Sequence, residues 1–127
     1  MSELRAGPPR WVPTAWPAVD RLLNGTEMVI HHEDVRRAQP DWAPRDLPRT
    51  VQDRLWASVP VLARGRAAAW TDGGVFVRRS DVPDGAPGSE RRLRQGEPTT
   101  TVTGAPLEVL LWVSGREDVA CVDLTME

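Results

Sequence analysis

The clearest hydrophobic pattern lies between Ala18 and Ala38, where apolar side chains recur every three or four residues. This spacing places them on one face of an α-helix that Pro40 is expected to end. Asn24-Gly25 argues for a turn instead, because Asn-Gly is a common hairpin sequence and glycine costs a helix about 1 kcal/mol relative to alanine. We still predict one continuous helix, since the apolar period carries on across this pair. The positions on the apolar face are Val19, Leu22, Leu23, Thr26, Val29 and Ile30.

The rest of the chain predicts a small unit of mixed helices and strands. A second helix is expected over Arg49–Ala69, with a kink or a break at Pro60. Glycine, proline and arginine dominate residues 81–97, which are typical of a mobile polar loop. We therefore predict an α+β protein with domains at residues 1–40 and 41–127. The other predicted elements are strands at 75–77, 99–103 and 119–124 and a helix from Pro106 that Gly115 ends.

The predicted first helix needs a partner for its apolar face, because one helix cannot bury such a face by itself. Either the smaller C-terminal unit covers it, or further helices that this chain lacks would do so. The chain also has 6 tryptophans, which is more aromatic surface than one small core needs. Self-association through the uncovered helix face, or a missing N-terminal helical partner, is therefore an expectation from the sequence.

The charge balance argues against a nucleic-acid partner. The chain has 16 basic and 18 acidic residues and a net charge of -2, so it offers no strong positive field for phosphates. No apolar stretch approaches the roughly 20 residues of a membrane span, and the N-terminus lacks a signal-peptide core. The single cysteine, Cys121, favours a cytoplasmic location and is expected to be a small buried side chain in the last strand. The basic cluster at 91–94 is expected to be solvated, with an anion contact as the alternative.

The strongest candidate for chemistry is the pair Glu27 and His31. Residues four apart project from one face of a helix, so a carboxylate oxygen and an imidazole nitrogen can reach one divalent metal. His32 is rotated by about 100° and would not share that site. A solvated ion pair is the alternative, and two ligands fall short of the three that zinc generally needs. No sequence signature assigns a catalytic residue.

Several segments resemble one bacterial family. Gly7–Trp11, Asn24–Glu27 and the run His31–Pro40 are similar to the mycothiol-dependent maleylpyruvate isomerase-like, DinB-type metal-binding proteins, common in actinobacteria. Val102–Gly104 and Leu110–Arg116 resemble the C-terminal domain of that family. The resemblance implies the last helix of a four-helix bundle, followed by a small sterol-carrier-like α+β domain.

The same resemblance implies a divalent metal, expected to be zinc, with Glu27 and His31 as ligands. Asn24 would line the cavity. Asp34 would accept a hydrogen bond from His31 and so orient its ring, without itself binding the metal. In full-length relatives the metal serves mycothiol-dependent isomerase or transferase chemistry. The family's third ligand, a histidine of an early helix, has no counterpart here, so the chain is expected to be a truncated member and inactive alone. The alternatives are a non-enzymatic module that binds a hydrophobic ligand or a protein, and an inactive fragment.

Overall fold

The structure, a computed structural model, describes residues 16–64 and 73–126, with side chains in the first helix described from Gly25 onward. This part of the chain is an α+β unit with three helices and a mixed sheet of four strands. The helices are α1 (Trp16–Arg36), α2 (Arg49–Arg64) and α3 (Pro106–Val113). The strands are β1 (Gly74–Arg79), β2 (Glu90–Arg94), β3 (Thr99–Gly104) and β4 (Asp123–Met126).

The sheet has the strand order β2-β1-β3-β4. β1 and β3 are parallel, whereas β2 and β4 lie antiparallel at the two edges. Because neighbouring side chains along a strand point to opposite faces, Val75, Val77 and Val102 turn inward and are fully buried. Phe76, which pairs with Thr101, lies on the opposite, more open face.

The core forms around α3. This helix is apolar on almost every side, which is typical of a helix enclosed by other elements. Its buried side chains contact the sheet on one side and α2 on the other. α2 contributes Leu55, Trp56, Val59 and Ala63 to the same core. The buried apolar side chains of α3 are Leu107, Val109, Leu110, Leu111 and Val113.

The second half of α1 packs against the rest of the described chain. Ile30 joins the core, and the hydroxyl of Thr26 forms a buried 2.6 Å hydrogen bond with that of Ser58 on α2. In this half of the helix, the inward-facing side chains are thus covered by residues from the 41–127 part of the chain, which is one of the two alternatives that the sequence left open. The apolar positions Val19, Leu22 and Leu23 precede the described side chains, and the domain boundary at residue 40 stays a prediction.

Several predicted elements are confirmed. α1 is continuous across Asn24-Gly25, and β3 and α3 begin within a residue of their expected positions. α2 continues through Pro60 to Arg64 without splitting, and the rest of its predicted length falls outside the described residues. Pro106 occupies the first turn of α3, where a proline loses no helical hydrogen bond.

Two predictions in the second half of the chain are wrong. The expected polar loop over 81–97 contains β2, which pairs with β1 through Arg92, opposite Phe76, and Glu90, opposite Arg78. Edge strands tolerate such charges, and for that reason the apolar pattern missed this strand. The last strand is Asp123–Met126 rather than 119–124, because residues 117–119 form a turn.

Cys121 is also placed differently from the expectation. It precedes β4 and is exposed, so it is not a buried core residue. Its backbone N–H donates to Glu108 Oε1 at 2.9 Å, and the neighbouring Ala120 and Val122 are the side chains that pack against the core.

No helix in the described ranges combines the length and the apolar character that crossing a bilayer requires.

The continuity of α1 gives a direct test at Gly25. A methyl group added there meets no atom within 4 Å, and alanine stabilises a helix interior by about 1 kcal/mol relative to glycine. We expect Gly25→Ala to raise the free energy of unfolding by about that amount in urea denaturation.

The contrasting variant is Gly96→Ala. Gly96 has φ +150°, and an added Cβ would lie 2.6 Å from the carbonyl carbon of Gly73, so this change should destabilise the fold. A destabilising Gly25→Ala would show that α1 bends or breaks at this position.

Candidate functional site

The candidate metal ligands lie in a cleft beside α1. Glu27 and His31 occupy successive turns and both line this cleft, as their spacing predicts. His32 is exposed and does not line it. The cleft has a volume of about 180 Å³, which is small for an organic ligand. Its lining residues are Glu27, Ile30, His31, Leu62, Ser114 and Arg116.

The donor atoms of Glu27 and His31 are available to a ligand. Both side chains are exposed, and within the described residues neither forms a hydrogen bond or an ion pair. A carboxylate and a neutral imidazole bind zinc and other first-row divalent metals. The pair therefore suits a metal in its donor chemistry and its position on adjacent helical turns.

A third protein ligand does not accompany this pair. Among the described side chains, those of residues 25–64 and 73–126, no group of three His, Cys, Asp or Glu could hold a metal. The nearby Ser114 hydroxyl donates to the carbonyl of Leu111 at 3.1 Å. The described chain thus offers two donors, and a metal held by them keeps open coordination positions.

Asp34 forms an ion pair with Arg116, one of the residues that line the cleft. Its two carboxylate oxygens accept from Nε and Nη2 of Arg116 at 3.0 and 2.9 Å. The hydrogen bond from Arg116 is the main cause that lowers the pKa of Asp34, against the opposing effect of burial. The carboxylate thus holds Arg116 at the cleft, and no hydrogen bond joins it to His31. The side chain of Asn24, the other residue expected here, lies outside the described side chains.

A buried arginine holds the C-terminal end of α1 in place. Arg37 follows α1, and its side chain is 1% exposed. Nε donates to Glu33 Oε1 at 2.8 Å, while Nη1 and Nη2 donate to the two oxygens of Glu108, each at 2.7 Å. Nη1 also donates to the carbonyl of Val119 at 2.7 Å, and the guanidinium lies 4.6 Å from the ring centre of Trp42. Burial alone would lower the pKa of Arg37, but its hydrogen bonds to Glu108 and Glu33 raise it.

Glu33 is the second buried charge of this network, with no exposed surface. Burial would raise its pKa, but the hydrogen bond from Arg37 and the charges of Arg45, Arg36 and Arg37 together lower it. Arg36 Nη1 donates to Glu33 Oε1, and Arg45 Nη2 lies close to Glu33 Oε2, both at 2.7 Å. The Arg45 contact is an ion pair without hydrogen-bond geometry, since Glu33 Oε2 and Arg45 Nε have no hydrogen-bond partner.

This network joins three distant segments of the chain. Arg37 lies just beyond α1, Glu108 is in the first turn of α3, and Val119 belongs to the turn before β4. An acidic side chain also interacts favourably with the N-terminal end of a helix dipole. The network therefore sets how the end of α1 sits on α3, and with it the position of the cleft.

The spacing of polar residues along α1 indicates part of this network, although a search for apolar residues alone does not detect it. Thr26, Ile30, Glu33 and Arg37 follow one another at spacings of four, three and four, and all four are buried. The buried face of α1 thus continues into charged residues. A Glu and an Arg four apart on the buried side of a helix pair with each other, but their partner Glu108 lies 71 residues further along the chain.

A separate charged cluster stabilises the far end of the sheet. Arg79, at the end of β1, donates to Asp81 at 2.6 and 2.8 Å and to Asp53 at 2.8 Å. Its guanidinium lies 5.8 Å from the ring centre of Trp56, whose indole N–H donates to the carbonyl of Gly88 at 2.7 Å. These contacts tie α2 to β1 and the loop after it.

The buried network should dominate stability when one partner is removed. Arg37→Met leaves two buried carboxylates without their main partner, which typically costs about 3–5 kcal/mol. Arg78→Met breaks the pair with Glu90, whose side chains are 40% and 39% exposed, and such pairs contribute about 0–1 kcal/mol. Urea denaturation of the two variants should show this difference, and equal losses would contradict the structural role of Arg37.

Acid should weaken the fold through Glu33. Its folded pKa lies below the ordinary value of 4.5, so its stabilising contribution is complete above that value and is lost as the pH falls through the lower folded pKa. Urea denaturation between pH 7 and pH 3 should show stability falling below about pH 4.5. Glu33→Gln should flatten this dependence, and an unchanged pH dependence would contradict the assignment.

The chain matches no protein-family model, no curated protein and no solved structure. The likeness to the DinB-type family therefore stays a prediction from the sequence.

Proposed function

We propose that this chain binds a divalent metal, with zinc as the expected ion, through Glu27 and His31. One observation carries the proposal: a carboxylate and an imidazole on successive turns of α1 line the same cleft and form no hydrogen bond or ion pair among the described residues. Metal binding by these two side chains would cost little free energy in lost contacts, because no existing hydrogen bond has to be broken. With only two protein donors, the expected affinity is weak.

The chemistry of such a site follows from its open positions. A bound divalent metal acts as a Lewis acid toward a ligand that occupies an open position. Ile30 and Leu62 give the cleft an apolar wall, and Arg116, held by Asp34, adds a positive charge. A small ligand with an apolar part and an anionic group would suit this lining.

The family likeness supplies the wider form of the proposal. In that form, α1 corresponds to the last helix of a four-helix bundle, and the sheet with α3 corresponds to a sterol-carrier-like unit. Mycothiol, the thiol of that family, is then the proposed cosubstrate of the family's enzymes in the cytoplasm. The chain itself supports the metal-binding part through Glu27 and His31.

The two histidines provide a matched pair of variants. Both are exposed, and only His31 lines the cleft, so His31→Ala should abolish zinc binding while His32→Ala leaves it nearly unchanged. Isothermal titration with zinc chloride measures this directly, and circular dichroism checks that both variants stay folded.

Equal losses in the two variants would contradict the assignment of His31 as the ligand. Absence of zinc binding by the unmodified chain would contradict the proposed function itself.

A further inference from the structure

The two edges of the sheet differ in character. β2, at one edge, carries Glu90 and three arginines, and charged side chains on an edge strand oppose pairing with a further strand. β4 forms the other edge in the part of the chain that the structure describes. Its residues are all exposed, and they include Leu124 and Met126, which are 54% and 66% exposed. β4 therefore combines the outward-pointing backbone groups of an edge strand with exposed apolar side chains.

The exposed apolar side chains of β4 lie on the face of the sheet that the helices cover. Leu124 pairs with Val102, and directly opposed residues of an antiparallel pair point to the same face. Val102 is fully buried, whereas Leu124 is more than half exposed. Since alternate residues of a strand share a face, Val122, Leu124 and Met126 form one apolar row. Val122 packs against the core, so the cover over this row ends before Leu124.

The sequence of β4 is self-complementary in an antiparallel pair with a second copy. A two-fold axis normal to the sheet keeps the helices of both copies on the same face. With Leu124 opposite Leu124 of the second copy, Val122 lies opposite Met126, and Asp123 lies opposite Thr125. Every member of the apolar row then has an apolar partner, and the polar pairs lie on the open face. A register centred on Thr125 would leave Val122 without such a partner.

We propose that two copies of this chain associate through β4, in the antiparallel register centred on Leu124, so that their sheets become continuous. The second copy is the occupant, because its own β4 supplies both a matching apolar row and a polar partner for Asp123. The outward backbone groups of the two strands pair with each other, as in other cases of strand addition at a sheet edge. The inference is independent of the proposed metal site, which lies on α1.

The association is expected to be weak and to depend on protein concentration. One short strand per copy forms a contact smaller than the roughly 800 Å² per partner of a stable interface. The small net charge of -2 opposes the approach of a second copy only slightly. The chain should therefore be a monomer at micromolar concentration and a dimer as the concentration approaches the millimolar range.

Thr125 provides a matched pair of charge variants at one exposed position. In the proposed register it lies opposite Asp123 of the second copy. Thr125→Lys therefore creates two pairs of opposite charges across the two strands, whereas Thr125→Glu creates two pairs of like charges. We expect Thr125→Lys to lower the dimer Kd by about five-fold and Thr125→Glu to raise it by a similar factor. Sedimentation equilibrium of the whole chain in EDTA, over a series of concentrations, measures these constants without bound metal.

Charge complementation at Leu124 tests the centre of the register. Leu124→Lys alone and Leu124→Glu alone place like charges at the two-fold axis, so each variant should remain a monomer. An equimolar mixture of the two variants places opposite charges at the axis and should form the dimer again. Circular dichroism of each variant checks that the monomer stays folded.

Three outcomes would overturn the proposal. Sedimentation of the unmodified chain as a monomer at every concentration would exclude the association. A dimer with the same Kd in both Thr125 variants would show that the copies meet at another surface. Weaker association of Thr125→Lys, or a mixture of the Leu124 variants that stays monomeric, would exclude the register centred on Leu124.

Discussion

The structure depends on one buried guanidinium. Arg37 has almost no exposed surface, yet it donates hydrogen bonds to Glu33, to both oxygens of Glu108 and to the carbonyl of Val119. Burying these charges is costly, and the cost is offset only when every partner is in place. The arrangement therefore tolerates little variation in how α1 meets α3. This gives a small protein with limited apolar core a fixed geometry for its first helix.

The position of the cleft follows from that constraint. Glu33 and Arg37 hold one face of α1 against the C-terminal unit, so the adjacent face presents Glu27 and His31 beside Leu62 and the chain after α3. Asp34 and Arg116 form a second tie across the same cleft. Both ties use other side chains and leave the two candidate ligands unpaired. On this one helix, the side chains that form the structural ion pairs are different from the two candidate ligands. A metal bound by Glu27 and His31 would therefore not displace any of these ion pairs.

Periodicity predicts the elements that bury apolar surface. α1 and α3 were predictable because their apolar side chains recur at helical spacing. β3 was predictable because Thr99–Thr103 is rich in β-branched residues. β2 was not, because this edge strand has a single apolar residue, Leu93, among Glu90 and three arginines, so it shows no apolar alternation. Cys121 was misplaced together with the last strand. The pair Glu27 and His31 could be predicted from spacing within one helix. The contacts of Arg37 with Glu108 and of Asp34 with Arg116 could not, since they join residues 71 and 82 positions apart.

The most direct test of the account is a crystal structure of the chain grown with zinc, using anomalous scattering measured at the zinc absorption edge. The account predicts an anomalous peak about 2.0–2.2 Å from a carboxylate oxygen of Glu27 and an imidazole nitrogen of His31. It also predicts that Arg37 remains buried between Glu33 and Glu108 in the same crystal. A strong peak bound elsewhere on the chain, with Glu27 and His31 free of metal, would contradict it.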